Sequence, residues 1–189
     1  MTKHTIVALV ENRPGVLNRI ASKWRQRGFN IESLAVGHSE VPGLSRMTFT
    51  VDGTTTDVDQ VAKQMYKIIE VVKVSDLSEH DIVHRELALV KVAASAQQRG
   101  PIIEIAEIFR AKIVDVAPES LILECTGTEE KVDALIEVLR PYGLKELVRT
   151  GRVAMTRGTG APTSLDGAKG EQHRYRPAGE GKPKVGSLL

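Results

Sequence analysis

The chain has 189 residues, enough for one ordinary domain or two small ones. Its 41% hydrophobic and 26% charged residues are the balance of a soluble globular protein, which excludes wholesale disorder, and a formal charge of +2 gives little electrostatic grip on nucleic acid or anionic lipid. Three Phe, three Tyr and one Trp are too few for a base-stacking surface, and the single cysteine, Cys125, cannot form an internal disulfide and points to a reducing compartment.

Met1-Thr2-Lys3-His4 runs directly into an apolar β-rich segment, Thr5 to Val10, without the charged lead and long apolar core of a signal peptide. No apolar run approaches the ~20 residues of a membrane span, so a cytoplasmic protein is expected. Glu11-Asn12-Arg13 leads to Pro14, which suits the first position of a helix. Val16, Leu17, Ile20, Ala21 and Trp24 then recur at helical spacing, and Gly28 closes the helix. Ile31 to Gly37 and Ser45 to Val51 read as strands joined around Val41-Pro42-Gly43. The second alternates, with Met47, Phe49 and Val51 inward and Arg46, Thr48 and Thr50 outward. Asp57 with Gln60 resembles a capping box, ahead of a stripe of Val58, Val61, Ala62, Met65 and Ile68, and Val71 to Val74 begins a closing strand.

The same order returns further on. Leu87 to Val92 is a strand, Gly100-Pro101 opens a helix bearing Ile102, Ile105, Ala106 and Phe109, and short strands follow over Lys112 to Val116 and Leu121 to Cys125, with Pro118 at the bend. Thr128 caps a last helix (Val132, Leu135, Ile136, Leu139), and Leu144 to Val148 leads to a final segment near Val153 to Thr156. The division is a first domain over 1–78, a solvated linker over 79–84, a second domain over 85–157 and a Gly/Pro-rich tail over 158–189. That tail holds seven glycines, three prolines and a net +2, the whole formal excess, so it reads as a flexible extension.

Two β-α-β-β-α-β units predict an α+β protein of two tandem ferredoxin-like sandwiches, each with both helices on one sheet face. Ile6-Val7-Ala8-Leu9-Val10 is apolar towards both faces, so something must cover the second face. A second domain, a partner subunit or an identical chain would serve, and domains of this size favour a homodimer.

Catalytic constellations are missing: there is no G-x-S-x-G, Walker loop, paired zinc cysteines or H-E-x-x-H, and neither catalytic nor metal-binding residues are assigned. His80 and His84 have a chelating spacing only on a helix, which their surroundings do not resemble. Cys125 alternates with Leu121 and Leu123, as a buried small hydrophobe does. The junction Glu11 to Leu17 is more informative. Gly15, without a Cβ in the first helical turn, lets a carboxylate approach the backbone N–H groups of residues 15 to 17, and Asn12 offers both donors and an acceptor, a pairing suited to a free amino acid. A second signal is Asn30 beside Ile31, where the chain enters the next strand.

Glu11-Asn12-x-Pro14-Gly15-Val16-Leu17, then Gln26-Arg27-Gly28-Phe29-Asn30-Ile31-Glu32-Ser33-Leu34 and Ser45-Arg46-Met47-Thr48, resemble the ACT domain of the small regulatory subunit of acetolactate synthase. Arg85-Glu86-Leu87-x-Leu89-Val90-Lys91-Val92 and Ile108-Phe109-Arg110-Ala111-Lys112-Ile113-Val114-Asp115-Val116 are similar to that family's C-terminal domain, so the resemblance spans about residues 3 to 157. It implies a non-catalytic subunit in branched-chain amino-acid biosynthesis that activates a catalytic subunit and confers feedback inhibition by valine. Thiamine diphosphate, Mg and FAD are then expected only in that catalytic subunit. The resemblance further implies a homodimer or higher oligomer holding valine between ACT domains. Asn12, Pro14, Gly15, Val16 and Leu17 would come from one chain and Asn30 and Ile31 from the other. A stand-alone amino-acid sensor, a nucleic-acid binder on the same scaffold and a small enzyme are the rival readings.

Overall fold

The computed structural model describes residues 3–54 and 57–159. The expected tail therefore lies, from residue 160 onward, outside the described residues.

The first unit runs β1 (Lys3–Glu11), α1 (Val16–Gln26), β2 (Ser33–His38), β3 (Leu44–Asp52), α2 (Val58–Met65) and β4 (Val71–Asp76). Its antiparallel sheet has the order β2-β3-β1-β4. Strand periodicity sends Ile6, Ala8 and Val10 of β1 and Met47, Phe49 and Val51 of β3 to one face, where they meet Val16, Ile20 and Trp24 of α1 and Val61 and Met65 of α2. Trp24 anchors this core: its ring stacks on Phe49 at 4.8 Å between centroids and meets Phe29 edge-on at 6.3 Å. The contact to Phe29 also seals the end of α1. Gly28, at φ +70, turns the chain so that its N–H reaches the Arg25 carbonyl and the Phe29 N–H reaches that of Trp24, a Schellman arrangement. Asp57 caps α2, its carboxylate accepting from the Gln60 N–H at 3.1 Å.

The second unit repeats the plan with β5 (Ile82–Ala93), α3 (Arg99–Ile108), β6 (Lys112–Ala117), β7 (Ser120–Gly127), α4 (Glu129–Leu139) and β8 (Leu144–Arg149), followed by β9 (Val153–Thr156). Strands β6-β7-β5-β8 form its main sheet. Ala88, Val90 and Val92 pack with Leu121, Leu123 and Cys125 beneath Ile102, Ala106, Leu135 and Leu139. Cys125 is fully buried among them, as its alternation predicts. Both halves are thus α+β sandwiches in the expected element order.

Three expectations are corrected. Helix α1 starts at Val16 rather than Pro14, because Gly15 adopts φ +87, a left-handed conformation that cannot belong to a right-handed helix. Residues 82–84 are not linker but the start of β5, paired with β9 in the register Ile82↔Thr156, Val83↔Met155 and His84↔Ala154. His84 accordingly lies half-buried on β5, while His80, ahead of the strand, is exposed as expected. The third correction concerns the outer face of the first sheet. Thr5, Val7 and Leu9 are 1% exposed within a single chain, and Val7 packs with Leu77, Ala154 and Ile82. The β5–β9 ribbon of the second unit, not a second copy, seals Val7. For the same reason Thr48 and Thr50, expected to face outward, are buried.

Trp24→Ala removes the largest side chain of the first core, and it is expected to cost about 3–5 kcal/mol. Urea unfolding followed by far-ultraviolet circular dichroism gives the value.

Candidate functional site

At its end β1 is held on both sides. The Glu11 N–H donates to the Glu70 carbonyl at 2.9 Å and the Asn12 N–H to that of Gly43 at 2.8 Å. The chain then turns through Arg13 and Pro14 to Gly15, whose carbonyl accepts the Arg19 N–H at 3.0 Å. Gly15 is the N-cap, and having no side chain it leaves α1 without a side-chain cap. The Val16 N–H lies 3.5 Å from the Arg13 carbonyl, and the next N–H groups of the first turn have no acceptor inside the helix, so partial positive charge collects there. Asn12, Pro14 and Gly15 are all exposed, and a Cβ built on Gly15 would meet nothing within 4 Å. This approach to the amides is open.

A charged cluster borders the turn. Glu70, 5% exposed, directs one carboxylate oxygen to Arg19 and lies 3.6 Å from Arg13, which also pairs with Glu11 at 2.7 Å. The other oxygen of Glu70 is buried with no partner among the described residues. Glu70 was missed in the sequence, although a carboxylate between Ile69 and Val71 interrupts an apolar run. Its main-chain and side-chain contacts fix the strand end, the turn and α1 relative to one another.

The other candidate residues lie elsewhere. Val16 is 3% exposed and points into the core, so only its main chain can serve a ligand, whereas Leu17 is 44% exposed. Asn30 is exposed, and Ile31 is half-buried against the core at the entry to β2. Asn30 and Gly15 sit at opposite ends of α1, whose 11 residues span about 16 Å. Asn12 to Leu17 are therefore brought together, while Asn30 and Ile31 form a separate patch of the same chain.

A second concentration of polar groups lies between the two sheets. Lys3, Glu32, Glu86, Glu129, Arg149 and Arg152 are among the residues lining a cleft of about 520 Å³. Their charges are matched in place: Lys3 bonds Glu129 and lies 3.6 Å from Glu32, Arg152 reaches Glu129 at 2.9 Å, and Arg149 pairs with Glu86. Close by, Arg46 on β3 donates to the Ala154 carbonyl of β9 at 2.7 Å. Among the described residues no group of three or more His, Cys, Asp or Glu is arranged to hold a metal. Burial pushes the Cys125 thiol up, away from the thiolate a nucleophile requires.

A family model described as an AHAS small subunit-like ACT domain matches residues 6–73, and one described as the small subunit of acetolactate synthase matches residues 85–158. The probable acetolactate synthase small subunit of Archaeoglobus fulgidus is 56% identical over 156 residues, covering 82% of this chain and 98% of that protein. The acetolactate synthase small subunit of Bacillus subtilis is 49% identical over 159 residues, covering 83% and 92%. In the crystal structure of the acetolactate synthase small subunit from Thermotoga maritima, the match has a TM-score of 0.78 and 44% identity, covering 84% of this chain and 99% of that one.

The cleft carries a pH expectation. Burial tends to raise the Glu129 carboxyl, but the hydrogen bond and charge of Lys3, with the charge of Arg152, outweigh it and hold the group below the ordinary carboxylate value. Lys3 is raised, chiefly by its hydrogen bond to Glu129. A depressed carboxyl stabilises the fold above its unfolded value of about 4.3 and loses that contribution as pH falls through the folded value; the raised ammonium contributes below about 10.4 and loses its share as pH rises. The difference in urea midpoint between wild type and Glu129→Gln should be constant near neutrality and shrink towards zero below about pH 4.

Proposed function

The chain belongs to the acetolactate synthase small-subunit family, and from that premise we propose that it activates a thiamine-diphosphate-dependent catalytic subunit and makes it sensitive to valine. In this reading it performs no chemistry itself. Valine sits between two copies of the chain, and its binding shifts the activity of the assembled enzyme, a coupling free energy between two sites.

The observation that carries the reading is the glycine-capped start of α1. A carboxylate seeks fixed N–H donors and positive potential, and the open turn at Gly15 presents both without a side chain in the way. Asn12 stands at the same end of the strand to meet the ammonium or carboxylate group. The exposed portion of Leu17 on one copy and Ile31 on the other supply apolar surface for the isopropyl group. Such a pocket separates branched side chains differing by one methylene by only about 1–3 kcal/mol, so leucine and isoleucine act as weaker effectors. The length of α1 supports a shared pocket, because Asn30 cannot join Gly15 across the helix of its own chain.

A stand-alone sensor would bind valine without binding a catalytic subunit. Assay of a purified catalytic subunit with and without this protein, each with and without valine, decides between the two. Gly15→Asp places a carboxylate where the ligand's would lie, and it should abolish valine inhibition of the reconstituted enzyme while leaving activation largely intact. Persistent inhibition counts against the site. Mixed dimers carrying Asn12→Ala on one chain and Asn30→Ala on the other should keep one working pocket, measured as half the valine bound per dimer; a pocket built within one chain would leave none.

A further inference from the structure

Two residues beyond Ile31, Ser33 opens β2 against the connection between β8 and β9. There Gly151 has φ +76, and a Cβ on it would lie 2.8 Å from the Ser33 Cβ and 3.1 Å from its Oγ. Only glycine allows the two segments to come this close. Ser33 Oγ donates to Thr50 Oγ1 at 2.9 Å and accepts the Arg152 N–H at 3.5 Å, which ties both segments to β3.

Arg152 extends the joint in two directions. Its Nη1 donates to Thr5 Oγ1 of β1 at 3.2 Å, and its Nη2 donates to Glu129 Oε2, at the first residue of α4, at 2.9 Å. Its Nε is buried without an acceptor among the described residues, so the arm is held in place with one donor unsatisfied, and a shift of the joint can relieve this. The cleft beside it, about 520 Å³, leaves room for such a shift.

Resting on the effector reading above, we propose that Gly151 and Arg152 are positioning residues through which occupancy at Asn30 and Ile31 reaches the second domain. A ligand that draws the start of β2 towards it moves Ser33. Through its hydrogen bond with the Arg152 N–H, Ser33 displaces residues 150–152, and Arg152 carries that displacement to the start of α4. The same joint explains the Arg of the Ser45-Arg46-Met47-Thr48 segment: Arg46 holds β9 to β3, so the displacement passes into the β8–β9 connection instead of peeling the ribbon away. Contacts thus run without a break from the start of β2 through Arg152 to the start of α4.

The test uses full-length wild type, Gly151→Ala and Arg152→Gln, each alone and reconstituted with the catalytic subunit. Calorimetry with valine, inhibition of the complex, and hydrogen exchange over residues 144–157 with and without valine are measured. Both variants should bind valine within about threefold of wild type and still activate, while the half-inhibitory valine concentration rises about tenfold or more. Valine should change exchange over 149–153 in wild type and not in Arg152→Gln, a readout that simple loss of stability does not give. Arg152→Gln keeps the test independent of backbone strain at position 151. Inhibition at the wild-type concentration in both variants overturns the relay and leaves the effector site standing. Loss of valine binding in both variants also overturns it, since the residues would then belong to the pocket or its folding. Absence of any valine heat in wild type overturns the effector reading and the relay together.

Discussion

Burial of the outer face of the first sheet holds the two halves of the chain together. Apolar side chains towards both faces of β1 create surface that a lone sandwich would leave in water, and the β5–β9 ribbon removes Val7 from solvent against Leu77, Ile82 and Ala154. Hydrophobic contact supplies little direction, so the polar groups around it set the geometry: Arg46 reaches across to β9, Arg152 to β1, and Lys3 to α4. The first two are hydrogen bonds from a guanidinium to a neutral oxygen and the third is a half-buried ion pair, directional contacts whose value here is orientation more than adhesion.

The candidate site is made almost wholly of main chain. Gly15 matters because it lacks a side chain and can take a left-handed conformation, which together leave the amides of α1 uncapped and approachable. Such a site needs rigid surroundings, and Glu70 provides them by holding the end of β1 through its carbonyl and two arginines through its carboxylate. The turn that would recognise a ligand is therefore fixed by residues that would not touch it.

Much of this fold was legible in the sequence, because each element carries its own period. The stripe from Val16 to Trp24, the alternation from Met47 to Val51 and the glycine at 28 are local signals, and local physics produces the same helix, strand and stop in the structure. Partnerships between distant short segments were not legible. Ile82-Val83 and Val153 to Thr156 become strands only because each finds the other, and a stretch of about four residues has no independent stability. Thr48 and Thr50 read as solvent-facing by polarity, yet their branched side chains lie buried on the covered face. The open turn was foreseen from Pro14-Gly15, but the left-handed backbone was not, since Pro14 suits a helix start as well as the turn that precedes one.

Strand β5 belongs to two layers at once. Its 12 residues, about 40 Å of extended chain, begin in the ribbon on the first sheet and end in the middle of the second. The second family model begins at residue 85, inside this strand. Residues 1–78 grafted alone onto another protein would lack the Ile82 and Ala154 that cover Val7 and the Arg152 that bonds Thr5, and would leave that plate of the sheet in water. Whoever builds a biosensor from this unit must carry the ribbon along or resurface that plate.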